Sequence, residues 1–333
     1  MNELSRATLS LELGAYADAL GMPTQDLDLD TIRADYGFVD RLVGAGPSQV
    51  IASGAPAGMV TDDTEQTFII ARILIEHGCV PAGELATALI EWEKDMLARG
   101  SLDLLGPSTK RALTALAAGA PPSETGKCGT TNGAAMRISP VGIAFPLDNE
   151  GAFIDAVVQA SEVTHNTRVA LQGAVFVGGA VSAGIAGHPR EDAVLLGLDL
   201  AKNLGDRGSA VCAPDIYERS RWAIEYLRHF DSREDILDAL FNVICTSYAC
   251  HESIPAVAAL CSLERSAQDI LLLAANAGGD TDTVGAMCGA ILGACGDATG
   301  VPRAELDRVV AQNALPVQKT AQQLVHLRIS KEK

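Results

Sequence analysis

Two short clusters of aspartate and threonine lie near opposite ends of the chain and contain residue types that hold metal ions. The first runs Thr61-Asp62-Asp63-Thr64, and the second runs Asp280-Thr281-Asp282-Thr283. Carboxylate and hydroxyl oxygens are hard ligands that suit Mg²⁺, Mn²⁺ or Ca²⁺ rather than zinc. Four aspartates at one place would repel one another, and divalent cations are the natural way to stabilise them. The pattern therefore predicts a metal site if the fold brings the clusters together.

Helix capping is the alternative explanation, because each cluster precedes an apolar run typical of a helix. Asp62 followed by Glu65 fits a capping box, and Asp280 or Asp282 could cap the next helix. Considered alone, either cluster is more often a cap than a ligand set. A cap uses one side chain, however, and leaves the second carboxylate of each cluster unexplained. Both roles are compatible, since a helix start fixes the direction of a ligand.

A glycine-rich loop from Gly126 to Gly133 and a histidine, His165, are further candidates. The loop leads into Ala134-Ala135-Met136-Arg137, and backbone N–H groups of such a loop can hold a phosphate. It matches neither the P-loop nor the dinucleotide fingerprint, so an ordinary connection is the competing interpretation. His165 lies between two apolar segments, where a histidine is usually structural or exposed. No Gly-x-Ser-x-Gly motif or Cys/His arrangement indicates covalent catalysis.

The elements that would position these residues are helices. No strand alternation extends over five or more residues, so the predicted fold class is all-α. Pro189 and Pro255 are expected at helix starts. Because a shared site requires the chain to close on itself, one compact domain over residues 1–333 is favoured. Helical periodicity predicts Thr67–His77, Glu84–Arg99, Thr109–Ala118, Ala152–Val163, Arg168–Ala186, Arg190–Gly205, Pro214–Phe230, Ser232–Tyr248, Ile254–Leu263, Ser266–Ala277, Val284–Cys295, Arg303–Gln312 and Val317–Leu327.

The charge of the chain excludes one class of partner. It has 42 acidic and 25 basic residues among 333, which gives a formal net charge of −17. Sequence-independent binding of DNA or RNA needs a basic face, so no nucleic-acid partner is expected. Small phosphorylated ligands remain compatible with this charge, because a local site can hold them.

Cysteine usage and apolar segments bear on the location of the protein. Eight scattered cysteines without Cys-x-x-Cys spacing indicate a reducing compartment. The first residues, Met-Asn-Glu-Leu-Ser-Arg, lack the regions of a signal peptide. Val169–Gly187 is uncharged and long enough to raise the question of a membrane span, but its Gly, Ala and Val content indicates a buried central helix. A cytoplasmic protein without a membrane partner is expected.

Five motifs, in order along the chain, resemble those of the ADP-ribosylglycohydrolase family. This family includes ADP-ribosyl-acceptor hydrolases and the bacterial enzyme that removes ADP-ribose from dinitrogenase reductase. Each motif is weak alone, but all of them in the family's order are specific. Ala17 replaces the glycine that usually precedes the first aspartate, which is a minor departure. The motifs are Gly14-x-x-x-Asp18-Ala19-Leu20-Gly21, Thr61-Asp62-Asp63-Thr64, Asn132-Gly133-Ala134-Ala135-Met136-Arg137, Thr164-His165 and Gly279-Asp280-Thr281-Asp282-Thr283-Val284-Gly285.

The resemblance implies an all-α orthogonal bundle around a central cleft with two divalent cations, Mg²⁺ or Mn²⁺. One ion would be held by Thr61, Asp62, Asp63 and Asp282. The other would be held by Asp280, Asp282 and Thr283, with Asp62 bridging or nearby. Two hard cations can bind the vicinal hydroxyls of a ribose and polarise a water. The substrate-binding positions would be Asp18, Asn132, Gly133, Met136, Arg137 and His165.

Gln25 is the main departure from the family pattern. Many members carry a glutamate seven residues after the first aspartate, and some use it in acid–base catalysis. An amide can orient a water or a hydroxyl, but it cannot take up a proton near neutral pH. Either a carboxylate of the first cluster takes that role or the substrate differs. The expected catalytic positions are therefore Asp63, Asp62 and Gln25.

The sequence thus predicts a metal-dependent hydrolase that cleaves an N- or O-ribosidic bond. Its partner would be an ADP-ribosylated protein, with arginine the first candidate side chain, or a small ribosyl conjugate. A nucleosidase acting on a small free nucleoside or nucleotide is the alternative, for which Gln25 and the scarcity of aromatic residues leave room. A third hypothesis is an inactive ADP-ribose-binding module, against which the intact acidic clusters argue. The sequence predicts no oligomeric state.

Overall fold

The computed structural model describes residues 1–101 and 105–331, and its architecture is a bundle of helices. Within these ranges there is no strand, as the periodicity predicted. The helices are α1 Glu3–Gly21, α2 Leu29–Tyr36, α3 Asp62–His77, α4 Ala82–Ala98, α5 Pro107–Ala117, α6 Pro122–Thr125, α7 Ser139–Ala144, α8 Glu150–Ser161, α9 Arg168–Ile185, α10 Arg190–Lys202, α11 Ile216–Leu227, α12 Arg233–Ala239, α13 Cys250–Cys261, α14 Ala267–Ala275, α15 Thr281–Ala294, α16 Arg303–Gln312 and α17 Val317–Lys331.

The acidic clusters form the first turns of two helices rather than the loops before them. α3 begins at Asp62 and α15 at Thr281, whereas the predicted starts were Thr67 and Val284. The predicted helix starts lie several residues too far along the chain because they were placed where the apolar periodicity begins. The buried polar residues of the first turn already have helical backbone geometry. Asp62, Asp63 and Asp282 are therefore fixed in the first turns of helices, and Asp280 lies at the N-cap position of α15.

Four helices have no counterpart in the predicted set: α1, α2, α6 and α7. α1 is buried on nearly every side from Leu9 to Gly21, so it lacks the one-sided apolar stripe that periodicity detects. The predicted helix Ser232–Tyr248 was too long. α12 ends at Ala239, and a short π-helical turn follows until the chain turns at Cys245 with a φ of 74°. Pro255 lies inside α13 rather than at its start, so that expectation was wrong.

The packing of α1 against α15 determines where the second cluster lies. Gly285, Gly289 and Gly293 form a stripe on α15 that faces the backbone of α1. A Cβ atom on these glycines would come within 2.8, 2.2 and 2.4 Å of backbone carbonyl oxygens of Ala17, Leu13 and Leu9. Close contact of this kind is possible only without side chains along the stripe. It brings the start of α15 against the end of α1.

The uncharged segment predicted as a central helix is α9. Its Arg168–Ile185 window is the single described helix long and apolar enough to cross a membrane, and 94% of that window is buried inside the bundle. α9 packs against α7, α10 and α15. Its apolar surface is thus covered by protein, as expected of a core helix.

Candidate active site

The first acidic cluster is anchored by Asp18 of α1. The Asp18 carboxylate is fully buried and accepts hydrogen bonds from Thr61 N, Thr61 Oγ1 and Thr64 N at 3.0, 2.8 and 3.1 Å, and from Thr64 Oγ1. Thr61 is the N-cap of α3. Asp18 therefore satisfies the first backbone donors of α3 from a neighbouring helix, which a capping box would otherwise do.

The capping explanation for the aspartates does not hold in the structure. Glu65, the expected partner of Asp62 in a capping box, instead accepts hydrogen bonds from Trp92 and Arg99. Asp280 occupies the N-cap position of α15, but its side chain makes no capping hydrogen bond. The carboxylates of Asp62 and Asp280 are therefore directed to other partners.

Thr283 joins the two clusters. Its Oγ1 lies 3.2 Å from Asp63 Oδ2 and 3.1 Å from Asp280 Oδ1. A hydroxyl has one hydrogen and can donate to only one of these oxygens at a time. With both carboxylates ionised, the second contact would be repulsive. The clusters thus meet, as the sequence predicted they must for a shared site.

The raised pKa values of the aspartates show that the cluster holds more buried negative charge than its surroundings compensate. Burial, followed by the charges of Asp282 and Asp62, raises the pKa of Asp63 well above its ordinary value. Burial also raises the pKa of Asp280, against hydrogen bonds from Asn132 and Thr283 that lower it. The pKa of Asp18 is raised to about 6 by burial, which outweighs its hydrogen bonds. Asp63 Oδ1 is buried and has no hydrogen-bond partner.

A cavity of about 280 Å³ opens above the cluster. Two short bridges bring its walls together: Leu27 pairs with Gly279 beside the second cluster, and Thr131 pairs with Ala249. Asn132 Nδ2 donates to Asp280 Oδ2 at 2.6 Å and so ties the central loop to α15. The cavity is lined by Gln25, Ile51, Asp62, Gln66, Leu105, Gly106, Pro107, Thr109, Thr131, Asn132, Gly133, Met136, Tyr248, Asp280, Asp282 and Thr283.

Of the residues predicted to contact substrate, Asn132, Gly133 and Met136 line this cavity, but three others lie behind its walls. Asp18 is fully buried beneath the start of α3. Arg137 is 1% exposed and His165 is 0% exposed, and neither is among the lining residues. Arg137 donates to Gln66 Oε1 and Thr164 Oγ1, and His165 Nε2 lies 2.8 Å from Thr131 Oγ1. These three side chains support residues that reach the cavity. Their buried positions do not bring them into direct contact with a ligand in the cavity.

The predicted metal ligands divide between the cavity surface and the layer beneath it. Asp62, Asp280, Asp282 and Thr283 line the cavity, whereas Thr61 and Asp63 are buried next to them. Asp62 Oδ2 accepts a hydrogen bond of 2.6 Å from Gln66 Nε2. Across residues 1–101 and 105–331, no three His, Cys, Asp or Glu side chains are already arranged around one point as metal ligands.

The glycine-rich loop was expected to offer backbone donors to a phosphate, but its first half is a packing element. A Cβ atom on Gly126 would lie 2.1 Å from Glu162 O, and one on Gly129 would lie 2.3 Å from Thr164 O. Asn166 N donates to Gly126 O at 2.8 Å. These glycines permit close contact with the segment that carries His165. Only the second half of the loop, from Thr131, reaches the cavity.

Gln25 lines the cavity, as its predicted catalytic position requires. Its side chain is 7% exposed, and its Nε2 is buried without a hydrogen-bond partner. Gln49, which is also buried, donates to Gln25 O at 2.9 Å and accepts from Ile51 N, so it holds the Gln25 and Ile51 segments together. Gln25 therefore brings a buried donor without a hydrogen-bond partner to the wall of the cavity.

Sequence reasoning missed half of the lining residues, and three of those missed are Gln66, Thr131 and Tyr248. Gln66 lies four residues after Asp62, on the same face of α3, and this spacing could have identified it. Thr131 directly precedes the central motif. Tyr248 is 57% exposed at the cavity and belongs to no motif, so nothing in the sequence marked it.

Comparison with known proteins places the chain in a family. The model of the ADP-ribosylglycohydrolase family matches residues 1–333. The uncharacterized protein YegU of Escherichia coli (strain K12) is 31% identical over 323 residues, which cover 96% of each protein. The ADP-ribosylarginine hydrolase Tri1 of Pseudomonas putida (strain GB-1) is 26% identical, over 96% of this chain and 78% of Tri1. The chain belongs to the ADP-ribosylglycohydrolase family, as its motifs predicted.

A solved structure supports the same assignment at the level of the fold. The ADP-ribosylglycohydrolase-related protein complex contains a chain that superposes with a TM-score of 0.70 at 23% identity, covering 98% of this chain and 99% of that one. The predicted fold class is confirmed. The protein is accordingly an enzyme of the ADP-ribosylglycohydrolase type, a hydrolase of glycosyl bonds.

Proposed function

We propose that the protein is a metal-dependent hydrolase that removes ADP-ribose from a modified protein side chain, with arginine the first substrate to test. The observation that carries this proposal is the contact of Thr283 Oγ1 with both Asp63 and Asp280 at the floor of a cavity. Two helix starts that are far apart in the sequence meet there, and the charges of Asp282, Asp62 and Asp280 all act on Asp63. Membership of the family and the arginine specificity in the name of the relative Tri1 support the choice of substrate.

The residues at this place fit a pair of divalent cations. Burial raises the pKa of Asp63 and of Asp280, which is the electrostatic cost that cations would remove. Asp63 Oδ1 is a buried oxygen without a partner, and a ligand position is a natural use for it. The donor set consists entirely of carboxylate and hydroxyl oxygens, which suits Mg²⁺ or Mn²⁺. The proposed ligands are Thr61, Asp62, Asp63, Asp280, Asp282 and Thr283.

When bound, such cations would supply positive charge that orients ribose hydroxyls and polarises water. The protein's own residues hold the carboxylates of the site in position. Gln66 fixes the Asp62 carboxylate by donating to Oδ2, and Asn132 fixes Asp280 in the same way. Gln25 offers an unsatisfied donor that can orient a water or hydroxyl, but it does not accept a proton near neutral pH. The proton acceptor in this proposal is an acidic-cluster carboxylate, with Asp63 and Asp62 the candidates.

A nucleosidase acting on a small free nucleoside or nucleotide is the second candidate, and Gln25 favours it. This residue places an amide in the cavity where many members of the family have a glutamate. A carbonyl or ring nitrogen of a base could accept from its Nε2.

A hydrolysis screen distinguishes these functions. The purified protein is incubated with Mg²⁺ or Mn²⁺, or with chelator, and with ADP-ribosyl-arginine, ADP-ribosyl-serine, an ADP-ribosylated protein and a panel of nucleosides. Release of ADP-ribose that depends on the cation is the expected result, and it identifies the linkage. Release of a free base would replace the proposal by the nucleosidase. Binding of ADP-ribose without any turnover would replace it by the inactive binding module.

A further inference from the structure

We propose that the buried guanidinium of Arg137 sets the direction of a chain of hydrogen bonds that ends at Thr131, which makes Thr131 Oγ1 a donor to an oxygen of the bound ADP-ribosyl group. Arg137, Thr164 and His165 are then positioning residues, and Thr131 is the residue that touches the ligand. The identity of the ligand rests on the proposed function. The direction of the chain does not, because it follows from the hydrogen bonds within the protein.

The hydrogen-bond chain begins at Arg137, whose guanidinium has only donors. Its Nη1 lies 2.6 Å from Gln66 Oε1, and its Nη2 lies 2.7 Å from Thr164 Oγ1. Burial lowers the pKa of Arg137 to about 10, so the group is still charged at neutral pH. Thr164 Oγ1 must therefore accept from Arg137. By the same logic the amide of Gln66 turns its oxygen to Arg137 and its Nε2 to Asp62.

The hydrogen of the Thr164 hydroxyl then has two possible acceptors. Ser161 O lies 3.4 Å away, and it already accepts from the backbone N–H groups of Thr164 and His165 at 3.1 and 2.8 Å. Both of its lone pairs are thus in use. His165 Nδ1 lies only 2.8 Å from Thr164 Oγ1. The hydroxyl therefore donates to His165 Nδ1, since the shorter contact is the stronger one.

This acceptor role fixes the tautomer of His165. Burial, together with the charges of Arg137 and Arg111, lowers the pKa of His165 well below its ordinary value, so the ring is neutral. A neutral imidazole that accepts at Nδ1 carries its hydrogen on Nε2. His165 Nε2 therefore donates to Thr131 Oγ1, which lies 2.8 Å away.

Thr131 is the end of the chain and lines the cavity. His165 Nε2 is the single hydrogen-bond partner described for its hydroxyl, and this contact uses a lone pair of the oxygen. The hydroxyl hydrogen is left for a ligand. Because the carboxylates of the acidic cluster are acceptors and repel phosphate, an ADP-ribosyl group needs donors elsewhere in the cavity. Thr131 supplies one of them.

The direction of the hydrogen-bond chain is tested first, without any ligand, by ¹⁵N NMR of histidine-labelled protein. The protein has six histidines, and the His165 signals are assigned by their absence in His165→Asn. The expected result is a neutral ring with hydrogen on Nε2 and an unprotonated Nδ1 throughout the neutral pH range. A ring with hydrogen on Nδ1, or a charged ring, overturns the proposal.

The consequence for binding is tested by calorimetric titration of ADP-ribose in the presence of Mg²⁺. Thr131→Val should weaken binding about tenfold, as expected for one lost hydrogen bond, whereas Thr131→Ser keeps the hydroxyl and should bind like the wild type. Thr164→Val removes the donor to His165 Nδ1 without touching the cavity, so the tautomer is no longer fixed and Thr131 can either accept from His165 Nε2 or donate to it. A smaller weakening in the same direction is expected, with Thr164→Ser as the matched control.

The double variant Thr131→Val/Thr164→Val separates this role from a purely structural one. If Thr164 acts through Thr131, the double variant binds no worse than Thr131→Val alone. Additive losses, or wild-type affinity in Thr131→Val, overturn the role of Thr131. Should ADP-ribose fail to bind the wild type, the proposed function and the ligand contact both fall. The NMR result would still decide the direction of the chain.

Discussion

Thr283 Oγ1 lies 3.2 Å from Asp63 Oδ2, although the two residues are 220 positions apart in the chain. The contact exists because α15 packs its glycine stripe against α1, whose Asp18 in turn anchors the start of α3. Three helices thus bring the two acidic helix starts into contact. The resulting cluster has more buried negative charge than its hydrogen bonds compensate, as the raised pKa of Asp63 expresses.

The glycine stripe should be sensitive to the smallest side chain. Gly289→Ala would place a Cβ 2.2 Å from Leu13 O, and overpacking of this kind costs about 1–3 kcal/mol in the free energy of unfolding. Gly83→Ala on α4 is the matched control, because no atom lies within 4 Å of its Cβ position. That change should leave stability unaltered or raise it by up to about 1 kcal/mol. Denaturant titration of both variants checks the prediction, and equal effects would contradict the packing argument.

The stability of the cation-free protein should depend on Asp63 in a definite direction with pH. A raised folded-state pKa means that the stabilising contribution is present below the ordinary value of 3.8 and is lost as the pH rises through the raised value. Asp63→Asn removes the buried charge, so in chelator its melting temperature should exceed that of the wild type increasingly from about pH 4 to pH 7. The exposed Asp238→Asn controls for the loss of one negative charge. A difference that stays constant with pH would contradict the argument.

The Thr283 hydroxyl should matter for cation binding rather than for folding. Thr283→Val keeps the shape of the side chain but removes an oxygen that contacts Asp63 and Asp280. We expect the affinity for Mn²⁺ to fall about tenfold or more, while helical content is retained. Thr283→Ser, which keeps the oxygen, should bind like the wild type. Unchanged affinity in the valine variant would remove Thr283 from the ligand set.

Gln25 should limit either the rate or the substrate range. Gln25→Glu introduces a group that can take up a proton at a position that lines the cavity, and a general acid or base contributes about 10²–10⁴-fold to a rate. We therefore expect kcat/KM for the ADP-ribosyl substrate to rise about tenfold or more and to gain a new ionisation in its pH profile. Gln25→Leu, which has no polar group, should show neither change. If the glutamate variant resembles the wild type in both respects, the position is incidental to catalysis.

The two acidic helix starts could be predicted from the sequence because each depends on local chemistry, whereas their meeting remained a condition for a shared site. Carboxylate–threonine pairs before apolar runs indicate a helix start, and the structure begins α3 at Asp62 and α15 at Thr281. The order of the five motifs then indicated the family, which the family model confirms.

What the sequence could not predict depends on contacts between distant segments. α1 has no one-sided apolar stripe, since it is buried on nearly all sides, so its helix and the capping role of Asp18 were not evident. Arg137 and His165 stand in the expected motifs, yet both are buried behind the cavity wall by packing against Thr164 and Gln66. A motif reports which residues are near the site, but not which of them face the ligand.

The most direct test of the account is a calorimetric titration of the chelator-treated protein with Mn²⁺. We predict two ions per chain in the wild type, and marked losses of affinity in both Asp62→Ala and Asp282→Ala, because the two clusters form one site. Asp238→Ala, on the exposed face of α12, should bind like the wild type. Absence of Mn²⁺ binding, or wild-type binding in either cluster variant, would contradict the central claim that both acidic helix starts hold the same metal centre.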